Sequence, residues 1–413
     1  MSERPLPPQA VQRLATLAPE VVSRVGQAVE RGIPADAELA RLFREHREYG
    51  ARDRRFLSDL VFSHFRWRGW TTSLAAAYGL DAALPHPAAD ALARNEGIAP
   101  EPAGALPLEE KAEAVARWLK QDTPPALERL VPDWLPGVLF EPGGHLARCV
   151  ASFQQRPPTW LRFVSGREQL GLETLRSAGI EATPHPRIRS AVSVSGTSGL
   201  ASLPKEAKAG FEVQDLASQC VGLACAPKPG ERWLDLCAGS GGKALHLADL
   251  MKNQGEVVAT DIRESALDEL RRRVRRAHAT CVHARAHIAD RELFDGVLVD
   301  APCSGIGTWS RNPDARWRTS EQVVTEKAAD QGELLRQAAR HVKPGGMLVY
   351  SVCTVTAAET VEVVDRFLAE NSEFRLAPAP HPLTSSPTPG TFWIWPWDGP
   401  GDGMFVARVV RPV

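Results

Sequence analysis

The chain has 413 residues, 43% of them hydrophobic and 24% charged, the make-up of a folded chain with room for two to four domains at roughly 100–200 residues each. Lys and Arg total 49 against 50 Asp and Glu, so the net charge of -1 gives no global basic field, although a local basic face needs no overall excess. No stretch approaches the roughly 18 unbroken apolar residues of a membrane span, the opening MSERPLPPQAVQRL lacks a signal peptide's apolar core, and seven scattered Cys do not read as a disulfide framework; a cytoplasmic protein is expected.

Leu14, Leu17, Val21, Val25 and Val29 recur at helical spacing, as do Phe56, Leu60, Val61, His64 and Phe65, with breaks at Gly32-Ile33-Pro34 and Tyr49-Gly50. Residues 11–78 are therefore expected to be all helical. The Pro-, Ala- and Gly-rich stretch 84–108 reads as a loop or linker, with helices around 110–119 and 126–135. Near Pro157 the texture changes. TWLRFV at 159–164 and AVSVSG at 191–196 read as strands flanking a helix at 170–178, a small α+β module. From about Val213 short apolar runs alternate with helical patterns: RWLDLC then GGKALHLADLM, EVVATDI then SALDELRRRVRR, DGVLVDA, and GGMLVYSVC then TVEVVDRFLAE. That alternation predicts a parallel, doubly wound α/β sheet. A last strand, MFVARVVR, follows the Pro- and Trp-rich segment 378–401. The expected domains are 1–140, 141–212 and 213–413.

Asp235-Leu-Cys-Ala-Gly239-Ser-Gly241-Gly242-Lys243 follows a strand and opens a helix, where glycines let the backbone approach a ligand and aim N–H groups at it. Asp261 closes the next strand, the place of an acid that holds ribose hydroxyls in such folds. The glycines miss the spacing of a dinucleotide fingerprint and of a phosphate-binding Walker loop, so S-adenosylmethionine fits at least as well as a dinucleotide.

In DGVLVDAPCSGIGTWSRNPDARW, residues 295–317, Asp300 and Cys303 emerge together at a strand end, and KPGGMLVYSVCT, residues 343–354, repeats the pattern one strand later with Cys353. A single cysteine after a strand is most simply a small buried hydrophobe; two of them beside Asp300, at the sheet edge that carries the glycine loop, suggest chemistry. Carbon 5 of a pyrimidine is a poor nucleophile. A thiolate added at carbon 6 turns the ring into an enamine whose carbon 5 can attack a methyl sulfonium. A carboxyl group must hydrogen-bond ring nitrogen 3, and a base must remove the hydrogen of carbon 5 before the thiol leaves.

With DLCAGSGGK, DAPCSGIGTWSRNPDARW, YSVCT and DGMFVAR in this order, the chain from about Pro157 onward resembles the RsmB/Nop/Sun (Fmu) family of RNA cytosine-5 methyltransferases. The resemblance implies a class I, Rossmann-like methyltransferase domain with a mixed sheet. It implies that Cys353 attacks, Cys303 assists product release, Asp300 contacts the cytosine and Lys243 lies at the active site. The cofactor, S-adenosylmethionine, is then expected against Cys237, Ala238, Gly239, Ser240, Gly241, Gly242, Lys243, Asp261, Arg263, Asp300 and, as the nearest acid before the fourth strand, Asp290. Gly239-Ser240 replaces the family's Ala-Pro, Val164 its Asn, and Val352 its usual Thr.

ARDRRFLSDLVFSHFRWRG, residues 51–69, resembles the NusB-like helical domain that precedes such enzymes, which favours ribosomal over transfer RNA; the module at 141–212 is read as RRM-like. Arg52, Arg54, Arg55, Arg66 and Arg68 interleaved with Phe65, Trp67 and Trp70 can contact phosphates and stack on bases, or they can be a solvated face over an apolar core. Arg52, Arg55, Arg66, Arg311 and Arg316 are the RNA-contact candidates. Trp309, Asn312 and Pro313 lie beside the last two, and Arg271, Arg272, Arg273, Arg275 and Arg276 form a second basic run. The target cytosine must be unpaired or flipped to meet a strand-end thiol. Cys220 and Cys225 have no second ligand pair at zinc spacing, Cys149 and Cys281 read as packing residues, and no metal is expected. Small-subunit ribosomal RNA is the leading substrate and transfer RNA the alternative. A DNA cytosine methyltransferase using Cys303, a hydride-transfer enzyme and a non-catalytic RNA-binding assembly factor are the other readings. A monomer is expected.

Overall fold

The computed structural model describes residues 7–413 except 84, 141 and 196–198, with the backbone alone for 142–144 and 205–206. The first six residues of the opening segment, the first of the expected linker and Gly196 of the expected strand lie outside the described residues. Two compact units divide the chain: Met1–Arg156 with Trp309–Glu321, and Pro157–Thr308 with Gln322–Val413.

The first unit is helical. α1 (Pro8–Glu30), α2 (Ala35–Glu45), α3 (Ala51–Trp67) and α4 (Leu74–Asp81) follow the apolar periodicity. The stripe Leu14, Val21, Val25 and Val29 packs with Phe56, Leu57, Leu60, Val61 and Phe65 into one core. The stretch expected to be a linker contains a helix, α5 (Pro87–Glu96). Proline at its first turn needs no hydrogen-bond partner for a missing N–H, the His86 ring accepts from the Ala88 N–H at its start, and Gly97 in the left-handed region ends it. Ala88, Ala91 and Ala93 face the core with Leu92, so the composition that suggests a linker is that of a tightly packed helix. α6 (Leu108–Leu119), a 3-10 turn at Leu127–Leu130, α7 (Leu135–Val138) and α8 (Pro142–Phe153) complete the run. Residues 309–321 belong to this unit: the fully buried Trp309 indole packs edge-on to Trp134 and against Phe153, and Trp317 Nε1 donates to the Phe65 carbonyl at 2.7 Å.

The second unit opens with β1 (Thr159–Phe163), α9 (Glu168–Ser177), β2 (Ala182–Pro184), β3 (Ala191–Val194), α10 (Lys205–Lys208) and β4 (Phe211–Val213). Its strands form an antiparallel sheet in the order β2-β3-β1-β4. Then come α11 (Leu216–Cys225), β5 (Arg232–Asp235), α12 (Gly242–Leu250), β6 (Glu256–Ala259), α13 (Glu264–Ala277), β7 (Val282–Ala284), β8 (Phe294–Asp300), α14 (Glu321–Ala339), β9 (Val342–Val352), α15 (Val361–Glu370), β10 (Arg375–Leu376), β11 (Ala379–Pro380), β12 (Pro387–Thr388), β13 (Thr391–Ile394) and β14 (Met404–Val410). The large sheet runs β10-β14-β9-β8-β5-β6-β7, with β13 paired to β14. From β9 to β7 all pairings are parallel; β14 is antiparallel to β9. The sheet is thus mixed, and the fold is the expected Rossmann-like α/β arrangement.

Strands covered on both faces have no polar side to alternate with, hence the unbroken run VLV in β8. Trp233, Val257 and Leu298 point into one core with α11, α12 and α13, while Leu234, Val258, Val297 and Val299 point into the other with α14 and α15. Chain order reverses between β5 and β8, so a crevice opens at the carboxyl ends of these strands. Among the described residues no helix is long and apolar enough to cross a membrane.

Candidate active site

The carboxyl ends of β5, β6, β8 and β9 carry Asp235, Asp261, Asp300 and Cys353 respectively, Asp235 and Asp300 directly beside the reversal point. After β5 the chain turns sharply into α12. Gly241 caps that helix at φ 86°, in the left-handed region, and a Cβ there would lie 2.1 Å from Leu270 Cδ1, so both conformation and space demand glycine. The loop is pinned from β6: Asp261 Oδ2 accepts the Gly239 N–H at 2.9 Å, and Oδ1 accepts the Arg263 N–H and Nε–H at 2.9 and 3.0 Å. Burial pushes the Asp261 carboxyl up, but these donors outweigh it and hold it below the usual range. Ser240 accepts from Arg273 through both its hydroxyl and its carbonyl. Cys237 is half-buried, and burial pushes its thiol up to about 12, so it lines the loop as a neutral group. Ile262, next to Asp261, is fully exposed at 101%, unusual for so large an apolar side chain.

Asp235 is the unexpected member. It is 1% exposed, and neither carboxylate oxygen has a hydrogen-bond partner among the described residues. Burial first, and the charge of Asp300 second, push it up to about 7. A buried carboxylate so poor in donors is costly, and only Lys243 and the Cys237 backbone N–H work against the upward push.

Lys243, on the first turn of α12, reaches across to Asp300 with Nζ 2.6 Å from Oδ2, and Ser351 Oγ donates to Oδ1 at 2.7 Å. Burial works against the Lys243 ammonium, yet Asp300 more than compensates and its pKa stands above the ordinary value. The Cys303 and Cys353 sulfurs are 3.3 Å apart, both half-buried. Hydrogen bonding to Cys353, then burial, then the charges of Cys353 and Glu359 raise the Cys303 thiol well above its ordinary value, so Cys303 keeps its proton and can donate it towards Cys353. The two cysteines, Asp300, Lys243 and the glycine loop are therefore brought together as expected. Asp290 lies exposed on a turn after β7.

Two of the RNA-contact candidates are corrected. Arg66 is 4% exposed, paired to Asp81 and donating to the Ser310 carbonyl at 3.1 Å. Arg316 is fully buried and donates to the carbonyls of Leu130 at 2.7 Å and Phe153 at 3.2 Å. Phe65, Trp67 and Trp70, open to reading as stacking partners, are core residues, and so is Trp309. Arg and aromatic residues at helical spacing look the same whether they serve a core or a surface. Arg52 and Arg55 are exposed on α3, and Arg311 lines a cavity of about 960 Å³ in the first unit with Tyr78, His86, Lys111 and Arg156. In the second basic run, Arg271, Arg272, Arg273 and Arg276 are each paired with acids of the same unit. Cys149, Cys220, Cys225 and Cys281 are buried, and the described residues hold no group of three His, Cys, Asp or Glu arranged for a metal.

Sequence reading also missed Glu359, which is fully buried between the two cysteine turns. No periodicity or motif marks it, because Ser304 and Gln331, which join Thr354 and Thr356 around it, come from distant stretches of chain.

Residues 222–410 match the sequence model of the 16S rRNA methyltransferase RsmB/F family. The ribosomal RNA small subunit methyltransferase B of Klebsiella pneumoniae (strain 342) is 34% identical over 62% of this chain and 60% of its own. The probable ribosomal RNA small subunit methyltransferase B of Synechocystis is 32% identical over 68% of this chain and 66% of its own. The matches to the first of these curated relatives thus span about 60% of their length. Among solved structures, that of PH0851 superimposes with a TM-score of 0.72 at 26% identity, covering 99% of this chain and 100% of that one. A methyltransferase homolog from Pyrococcus horikoshii shares the fold, with a TM-score of 0.56 at 24% identity over 66% of this chain and 92% of its own. Residues 222–410 thus carry the domain of the 16S rRNA methyltransferase RsmB/F family, and the chain as a whole shares the fold of PH0851.

Proposed function

We propose that this protein uses S-adenosylmethionine to methylate carbon 5 of a cytosine in RNA, small-subunit ribosomal RNA being the leading substrate, through a covalent bond between Cys353 and the base. The observation that carries the reading is the pair of thiols 3.3 Å apart at the ends of β8 and β9, beside the Lys243–Asp300 pair. A lone strand-end cysteine would not require a second, protonated thiol next to it.

The residues around the glycine loop suit S-adenosylmethionine. The orphaned Asp235 carboxylate offers two acceptors to an ammonium group. A Cβ placed on Gly239 or Gly242 would meet nothing but an arginine tip, at 3.8 or 3.9 Å, so space lies open over the loop. Asp261 can receive ribose hydroxyls, and exposed Ile262 offers an apolar face to a purine. When bound, S-adenosylmethionine supplies an electrophilic methyl group.

The other steps belong to the chain. The Cys353 thiolate attacks carbon 6, and the ring electrons move towards carbon 5 and the nitrogen 3 edge. Asp300, oriented by Lys243 and Ser351, stands at the same sheet edge to accept a hydrogen bond from that nitrogen in its protonated form. The positive Lys243 offsets the negative charge that builds up there. Once carbon 5 has been methylated and its hydrogen has gone to a base, the carbon–sulfur bond breaks. The Cys303 S–H then stabilises the departing Cys353 thiolate. Exposed Arg52 and Arg55 on α3 support an RNA-contacting role for the helical unit, in line with a NusB-like domain.

The test incubates wild type, Cys353→Ala and Cys303→Ala with S-adenosylmethionine and bacterial RNA, followed by denaturing electrophoresis. A shifted protein–RNA band is expected for Cys303→Ala and none for Cys353→Ala. Sequencing the trapped RNA names the site. The absence of a band from every lane, together with no methyl transfer by wild type, would sink the reading in favour of a binding platform, and a band from Cys353→Ala alone would reverse the two roles.

A further inference from the structure

We propose that Glu359 is a positioning residue that clamps the two cysteine-bearing turns together and so sets the separation of the two thiols; the catalytic consequence rests on the function proposed above, the clamp itself does not.

Glu359 is fully buried, seven positions after the last residue of β9. Its Oε1 accepts the Ser304 N–H at 2.7 Å and Gln331 Nε2 at 3.1 Å. Its Oε2 accepts the hydroxyls of Ser304 at 2.5 Å, Thr354 at 3.1 Å and Thr356 at 3.0 Å. Ser304 directly follows Cys303, and Thr354 directly follows Cys353. One carboxylate thus takes two hydrogen bonds from the first cysteine turn and two from the second. The fifth comes from Gln331 on α14, whose Nε2 also donates to the Pro302 carbonyl at 3.0 Å, tying down the residue before Cys303. The Gly307 N–H donates to the Cys353 carbonyl at 3.0 Å, so the turns are also stitched directly, and the Ser304 and Thr354 hydroxyls that share Glu359 lie 2.8 Å apart. Tyr350 Oη donates to the Glu359 carbonyl at 2.7 Å and fixes the clamp's own backbone.

A buried carboxylate is an expensive way to close a turn. It is justified where a single acceptor-only group must draw donors inward from both sides. Glu359 touches neither sulfur, yet it anchors the residue after each. Its negative charge is also among the causes that keep Cys303 protonated.

The test compares full-length wild type, Glu359→Ala and Glu359→Gln. The first readout is the rate at which diamide oxidises the Cys303–Cys353 pair to a disulfide, two thiol hydrogens passing to the reagent, with the product mapped by mass spectrometry. Glu359→Ala is expected to cross-link at least tenfold more slowly. Glu359→Gln, whose amide oxygen and NH2 can still meet these donors and hydroxyls, should stay within threefold of wild type. The second readout is methyl transfer to RNA: Glu359→Ala should lose at least tenfold in kcat with the KM for S-adenosylmethionine within twofold, and Glu359→Gln should recover most of the loss. Cross-linking of folded Glu359→Ala at the wild-type rate overturns the clamp. So does a loss confined to KM. If Glu359→Ala does not melt cooperatively, Ser304→Ala with Thr354→Val takes its place, and cross-linking less than threefold slower than wild type then overturns the proposal. Should wild type transfer no methyl group at all, the functional reading fails while the cross-linking rates still decide the clamp.

Discussion

Replacing Asp235 by Asn should make the ligand-free protein more stable and the cofactor-binding protein worse, an opposition of signs that few substitutions produce. Burial and Asp300 push the Asp235 carboxyl from 3.8 up to about 7. A carboxyl raised in the folded state favours the fold while it is protonated, and this advantage is lost as pH climbs from the unfolded value through the folded one. With these two values, the Asp235 carboxyl costs the fold about 3 kcal/mol at pH 6, where it must take up a proton on folding, and about 4 kcal/mol at pH 8, where it stays ionised. The isosteric amide never ionises and escapes this cost. At roughly 2–4 °C per kcal/mol for a unit of this size, the melting temperature of Asp235→Asn should exceed that of wild type by something of order 10 °C at pH 8. The variant should also show less decline between pH 6 and pH 8. S-adenosylmethionine, in contrast, loses the anion that its ammonium would meet. A charge-assisted hydrogen bond of about 1.5–3 kcal/mol corresponds to an affinity loss of roughly 10- to 150-fold. Calorimetric melts at the two pH values and isothermal titration with S-adenosylmethionine read both effects. An Asp235→Asn protein no more stable than wild type at pH 8, binding the cofactor equally well, would refute the argument.

Other expectations concern separate parts of the molecule. Asp261→Ala should weaken S-adenosylmethionine binding at least tenfold by equilibrium dialysis, since it removes both the anchor of the Gly239 N–H and a ribose acceptor; unchanged affinity would remove Asp261 from the site. Arg316→Leu leaves the Leu130 and Phe153 carbonyls without their donor and should lower the stability of the helical unit by about 3 kcal/mol while S-adenosylmethionine affinity stays put. Wild-type stability with weakened RNA binding would restore Arg316 to the RNA surface. His64 is pushed down to about 4, chiefly by burial, so the fold resists its protonation. For such a base, stability is complete above the unfolded value near 6.5 and drains away as pH falls towards 4, about 2 kcal/mol being gone by pH 5. In urea titrations, the stability of wild type relative to His64→Leu should fall by about 2 kcal/mol between pH 7.5 and pH 5.

The sheet was legible because parallel strands covered on both faces write themselves as short apolar runs, and because Asp235, Asp261, Asp300 and Cys353 each close such a run. The thiol pair was legible for the same reason, two strand ends side by side needing no knowledge of the loops. Residues 87–96 were not, since a helix that packs closely uses the same alanines as a linker, and only the caps at His86 and Gly97 separate the two. Arg66 and Arg316 were misread because charge and aromaticity carry no sign of direction; their partners Asp81, Ser310, Leu130 and Phe153 become neighbours only in three dimensions. Glu359 was invisible for a related reason, its donors Ser304 and Gln331 lying 55 and 28 residues away in sequence. Asp235 was read as the start of a motif, and only its depth reveals an acid so poor in donors.

The placement of Trp309–Glu321 within the helical unit has a consequence for how such a chain can be cut or recombined. The polypeptide enters that unit twice, so no single breakpoint separates the two units. A fragment beginning at residue 157 would still carry Trp309, Arg316 and Trp317 while lacking Phe65, Leu130 and Phe153, which receive them. It would expose two indoles and a guanidinium shaped for an absent partner, an invitation to aggregate. A helical unit ending at residue 156 would have the complementary gap. Grafting the helices of one family member onto the sheet of another should therefore succeed only when this inserted segment travels with them, which makes the two stretches a single heritable module despite the catalytic sequence between them.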